Sequence, residues 1–224
     1  MKNREEMKIE IIKIEDARYP ERLRKIHNPP KQLYYAGNID LLEKNNILAI
    51  IGCRDYSEYG KNVAKRFAYE LSKNGIIIIS GAARGIDSFS HIGCMMAKKE
   101  TIAVLGNGIN YIYPPENKRL EECIIKNNGL IISEYSPEVK PDKYTFPARN
   151  RIISGLSSGV LVVEAKENSG SLITVDFALE QGKEVYVIPG DINRKNTKGT
   201  NELIKQGAKL VTGINDILED FVNI

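Results

Sequence analysis

Fourteen residues concentrate the chemistry of this chain: Lys143-Tyr144-Thr145-Phe146-Pro147-Ala148-Arg149-Asn150-Arg151-Ile152-Ile153-Ser154-Gly155-Leu156. Lysine and arginine neutralise phosphate, a phenyl ring stacks on a base, and an asparagine donates to a phosphate or a sugar. Pro147 suits the first turn of a helix, because it has no N–H to leave unpaired there. The segment therefore predicts a loop entering a helix, with Arg149 and Asn150 in the first turn. That end of a helix favours anions. Side chains of these types point to a binder of nucleotide or of single-stranded nucleic acid, and the segment alone leaves the two open.

Four further segments carry glycine or small polar residues directly after apolar runs. They are Gly52-Cys53-Arg54, Ser80-Gly81-Ala82-Ala83-Arg84-Gly85-Ile86-Asp87, Gly106-Asn107-Gly108 and Pro189-Gly190. Glycine lets backbone N–H groups approach phosphate oxygens without a Cβ in the way. One such turn means little, since any tight strand-to-helix turn uses glycine; several at one sheet edge predict an anion-lined crevice. Ser169-Gly170-Ser171 with Thr174, after Glu164, reads as another phosphate-cradling turn opening a helix, or simply as capping. No segment is a P-loop, and the first strand lacks a G-x-G-x-x-G followed by a distant acid. NAD or ATP use is not indicated, and no cofactor or metal is implied.

Other candidates have ordinary readings beside the functional ones. Asp87 and His91 share a helix face at i and i+4, as an acid–imidazole pair for proton chemistry would. A helix-start carboxylate with a packed histidine explains them better, because no nucleophile stands beside them. Arg54 either reaches the crevice or pairs with Asp55 or Glu58. Tyr111 and Tyr113, beside Pro114-Pro115, either rim a DNA site or pack their own loop.

These residues need a scaffold, and the apolar runs supply it. Ile47–Ile51, Ile76–Ile79, Thr101–Leu105, Gly129–Ile132, Val160–Val163, Glu184–Ile188 and Ala208–Val211 are continuous rather than alternating. Burial on both faces, as in a parallel sheet covered by helices, explains that pattern. The segments between them place apolar residues three to four apart, as helices do. The expectation is an α/β, doubly wound, mostly parallel sheet of about seven or more strands with helices on both faces. Residues 1–45, with Tyr19-Pro20 and Asn28-Pro29-Pro30, predict a short helical or irregular lead-in packed on a core of residues 46–224. Asn215 is the expected N-cap of a last helix running to Ile224.

Bulk composition narrows the partners. A net charge of only +3 over 224 residues excludes a protein that coats nucleic acid with its whole surface, so any such site is a local patch. Cys53, Cys94 and Cys123 are odd in number and lack CxxC spacing, which fits reduced thiols rather than disulfides or zinc. No apolar run is long enough to span a bilayer, and the charged N-terminus lacks the core of a signal peptide. The expected location is cytoplasmic.

Taken in order, the chain's motifs closely resemble the DNA-processing protein A family (DprA, also called Smf). They include Gly52-Cys53-Arg54, Ser80 to His91, Gly106 to Pro114, Ser133-Glu134-Tyr135, Lys143 to Leu156, Ser169 to Thr174 and Gly199 to Ala208. The resemblance covers residues 18 to 212. It implies an extended Rossmann-like fold that binds single-stranded DNA without turnover, protects incoming strands in natural transformation, and loads RecA recombinase alongside single-strand-binding protein. It also implies a homodimer, joined through a late helix–strand surface. Carried onto this sequence, the family's DNA contacts fall on Arg54, Lys143, Phe146, Arg149 and Asn150, with Gly81, Ala82 and Arg84 lining a phosphate-facing turn. The 224 residues are not expected to include the extra N-terminal helical or C-terminal winged-helix-like domains of longer members. The rival reading is a nucleotide-processing phosphoribohydrolase of the LOG family. Its Pro-Gly-Gly-x-Gly-Thr turn has only partial counterparts here, Ser169 to Thr174 and Pro189-Gly190.

Overall fold

The computed structural model describes residues 7–221. The charged segment 1–6 and the last three residues of the expected C-terminal helix lie outside them. The strands are β1 (Glu10–Lys13), β2 (Gln32–Gly37), β3 (Ile47–Ile51), β4 (Ile77–Ser80), β5 (Thr101–Leu105), β6 (Leu130–Ser133), β7 (Gly159–Val162), β8 (Glu184–Val187) and β9 (Lys209–Leu210). They form one sheet in the order β1-β2-β6-β5-β4-β3-β7-β8-β9. β3 to β9 pair in parallel, while β1 and β2 are antiparallel to their neighbours. The expected doubly wound α/β fold is present.

Strand alternation divides the core in two. Ile47, Ala49 and Ile51 of β3 face one layer, with α1 (Glu21–Arg24), α5 (Thr145–Leu156) and α6 (Leu172–Glu180). Leu48 and Ile50 face the other, with α2 (Glu58–Lys73), α3 (Ile86–Met96) and α8 (Asn215–Phe221). α4 (Lys118–Lys126) covers β5 and β6 on this second side, through Ile124 against Ala103 and Ile131. α7 (Lys198–Lys205) joins the first layer through Leu203 and Ile204. Every residue of β3, β5, β6 and β7 is buried, which explains their unbroken apolar character.

Three expectations need correction. The lead-in is neither merely helical nor irregular: β1 and β2 extend the sheet, and β2 hydrogen-bonds to β6 with Ala36 opposite Ile131. β2 alternates too weakly and β1 is too short for periodicity to reveal either. Pro147 does sit in the first turn of α5, but the helix opens at Thr145, which moves Arg149 and Asn150 into the second turn. Asn215 is the first residue of α8 rather than a cap outside it. Asp216 does the terminal work, its Oδ2 accepting from the Thr212 and Gly213 N–H groups at 2.8 and 3.1 Å.

Candidate nucleic-acid interface

β3 is flanked by β4 on one side and β7 on the other, so the winding reverses there. Loops leaving the carboxyl ends of β3 and β7 diverge to opposite faces and leave a crevice between them. A cleft of about 570 Å³ opens at this point. Residues 51–55 at the end of β3, Lys166 and residues 169–171 after β7, Ile173 and Thr174 of α6 and the first turns of α5 line it. A recess of about 300 Å³ adjoins it, bounded by Gly81, Arg84, Gly106 and Tyr113.

Arg54, Lys143, Phe146, Arg149 and Asn150 all line the main cleft. Phe146 is half-buried, with its ring 5.2 Å from Tyr113 and the Arg54 guanidinium 5.7 Å from its centroid. An aromatic platform edged by a cation results. Gly106 makes the platform possible, since a Cβ there would stand 2.6 Å from the Phe146 ring. Arg54 and Lys143 are exposed. The acids near Arg54 have other partners: Asp55 pairs with Lys166 at 2.6 Å and Glu58 with Lys61 at 2.9 Å. Asn150 accepts from Arg149 Nε at 3.2 Å and makes a long 3.5 Å contact to the Gly170 carbonyl.

Arg149 differs from the expected phosphate clamp. Only 4% of it is exposed, and its Nη1 donates to the carbonyls of Gly81 and Val104. Burial pulls its guanidinium down to about 10, against the opposing pull of Asp87. It remains charged at neutral pH and contributes a fixed positive field at the crevice floor. Asp87, raised by burial and held down by Arg149, accepts from the Gly81 N–H at 3.1 Å.

The glycine turns are only partly as expected. Gly81 and Arg84 line the adjoining recess, but the Gly81 N–H is already spent on Asp87. Ala82 faces inward: it is fully buried at φ +50°, and its carbonyl accepts from Asn117 Nδ2 at 2.7 Å. Gly170, Ser171 and Thr174 do line the main cleft, although Thr174 is nearly all buried. Ser169 and Ser171 hydrogen-bond to each other at 2.7 Å across the open turn. Gly85, at φ +91°, lets the start of α3 press on the Arg54 turn, where a Cβ would stand 2.3 Å from the Cys53 carbonyl.

The acid candidates serve the scaffold. Glu164 is buried, accepting the Ser57 N–H on Oε2 at 3.0 Å and the Ser57 hydroxyl on Oε1 at 2.5 Å. His91 Nδ1 meets Thr101 Oγ1 at 2.8 Å. Burial, helped by the charge of Arg149, pushes its imidazole down to about 3, so it stays neutral at physiological pH. Sequence reasoning missed Lys166, which lines the cleft; its position two residues beyond Glu164 at a strand end was the available signal.

Residues 10–222 match the family of DNA recombination-mediator protein A. The DNA processing protein DprA of Bacillus subtilis is 44% identical over 215 residues, covering 96% of this chain and 72% of that protein. Among solved structures, the X-ray structure of DprA from Streptococcus pneumoniae superposes with a TM-score of 0.90 at 43% identity, over 95% of this chain and 74% of that one. The DNA processing protein A of Helicobacter pylori, described for its single-stranded DNA binding mode, gives a TM-score of 0.86 at 32% identity and covers 97% of both chains.

Proposed function

The chain belongs to the DNA recombination-mediator protein A family, and from that premise we propose that it holds single-stranded DNA in the crevice between the β3 and β7 loops. One observation carries the reading. Arg54, from the β3 loop, and Lys143, Phe146 and Asn150, from around the start of α5, line one cleft, with the Arg54 guanidinium and the Tyr113 ring both near the ring of Phe146. A base stacks on Phe146, backed by Tyr113, while Arg54, Lys143 and Lys166 take the phosphates. Arg149 supports them from below through its charge. Stacking and phosphate contacts do not read sequence, so binding is sequence-tolerant and weakens with salt.

The family resemblance extends the proposal. The bound strand is protected from nucleases and passed to RecA recombinase in the presence of single-strand-binding protein, by a homodimer acting in the cytoplasm without turnover. The phosphoribohydrolase reading is disfavoured by Glu164, whose two carboxylate oxygens are bound to Ser57.

A gel shift with mixed-sequence single strands and a duplex competitor tests the crevice. Wild-type protein is expected to prefer the single strand, and Arg54→Ala and Lys143→Ala, each still folded, to weaken it. Unchanged binding by both variants overturns the site. Failure of the wild-type protein to bind at low salt overturns the function.

A further inference from the structure

A strand longer than the crevice must leave it, and the helices that follow the two crevice loops, α6 after β7 and α2 after β3, differ in charge. α6, whose first residues line the cleft, carries two acids and no cation. α2 carries four cations against two acids. The anionic backbone is therefore drawn toward α2 rather than α6.

The α2–α3 layer is continuous with the crevice. Gly85 seats the start of α3 against the Arg54 turn, and Phe89 lies one helical turn further on, its N–H donating to the Gly85 carbonyl at 3.1 Å. Tyr56, two residues past Arg54, meets the Phe89 ring edge-on at 4.6 Å. Lys61 and Lys65 place their ammonium groups 5.9 and 5.2 Å from the Phe89 centroid. Both rings are half-buried, so each keeps an open side. One helical turn, a rise of about 6 Å, separates the two lysines along α2. Cations around a partly open aromatic pair repeat the composition of the crevice itself.

We propose that the α2–α3 face is a second contact for the same single strand, Lys65 and, in exchange for its exposed Glu58 partner, Lys61 taking phosphates and Phe89 with Tyr56 taking a base as the strand leaves the Arg54 side. The inference rests on the crevice reading. Fluorescence anisotropy with two labelled strands of mixed sequence separates them, one of about six nucleotides to fill the crevice alone and one of about thirty. The Lys61→Gln/Lys65→Gln double variant keeps helix propensity. It is expected to bind the long strand about tenfold more weakly and to lose about 1.4 from its log–log salt slope, about 0.7 per phosphate contact. The short strand should be unaffected. Phe89→Leu, which keeps the apolar packing, should weaken the long strand without changing the slope. Equal losses on both strands, or no loss on the long one, overturn the second contact. Arg54→Ala should weaken both strands; if it changes neither, the crevice reading fails and this inference with it.

Discussion

Among single residues, the proposed crevice predicts separable contributions to binding from Phe146 and Lys143. Phe146→Ala removes a stacking surface and should cost about 1–3 kcal/mol of single-strand affinity with little change in salt slope. Lys143→Ala should lower the slope by about 0.7. Titrations across a salt series distinguish the two, and the crevice assignment fails if Phe146→Ala changes slope but not affinity at fixed salt. His91 gives a prediction about stability. Its imidazole is held near 3 in the folded protein, against about 6.5 unfolded. The unfolded chain therefore binds the extra proton between those values. The stability contributed is complete above about pH 6.5 and is lost as pH falls toward 3. Asp87, raised by burial, has the opposite sign: the folded state binds its proton more tightly, so its contribution declines as pH rises. Comparison with His91→Gln isolates the histidine. Between pH 7 and pH 5.5 the wild-type protein should lose about 1 kcal/mol more than the variant in denaturant unfolding. Parallel losses would mean that His91 titrates normally.

At the scale of elements, the β3 loop and α2 are joined to β7 by one buried carboxylate. Ser57 caps α2 through the Gly60 N–H at 3.1 Å while giving its own N–H and hydroxyl to Glu164. Ser57→Ala removes the cap and one donor to a buried charge, at an expected cost of about 1–3 kcal/mol measured by chemical denaturation. A loss below about 0.5 kcal/mol would show that water replaces the hydroxyl. This pairing also shows what the sequence reveals and what it hides. The strands β3, β5, β6 and β7 were legible because burial on both faces leaves mostly apolar residues in them, with polar Thr101 and Ser133 only at the ends of β5 and β6. Arg54 and Lys143 were legible only as candidates, since Arg54 could equally pair with Asp55 or Glu58 and the family resemblance is what assigns both to DNA. Partner choice was not: Ser57 and Glu164 are 107 positions apart, as Asp55 and Lys166 are 111. No local pattern encodes such pairs. The burial of Arg149 was hidden for the same reason, since its carbonyl partners at Gly81 and Val104 belong to other strands and their ends.

The molecule as a whole carries little net charge, so the proposed binding field depends on folding that brings its cations to one edge, and α5 is central to that arrangement. The lead-in holds α5 in place. Arg151 of α5 donates to the Asn28 carbonyl at 2.9 Å and to Glu134 at 2.6 Å, and Leu23 and Ile26 pack against the Gly155 end of the helix. β2 covers the edge of β6, and Tyr19, Leu23, Leu33, Leu41 and Leu42 are all buried. Removing residues 1–45 uncovers that strand edge and the apolar side of α5 together. Each lost burial of a large side chain costs about 1.5–3 kcal/mol, and a domain's whole stability is about 5–15 kcal/mol. The shortened chain is therefore expected to lose its cooperative thermal transition and its single-strand binding, although the truncation leaves every crevice residue in the chain. Calorimetry and anisotropy on the truncated protein test this. A soluble product with a sharp transition and wild-type affinity would instead establish residues 46–224 as an independent unit. In that case the two added strands would serve only to close the sheet edge.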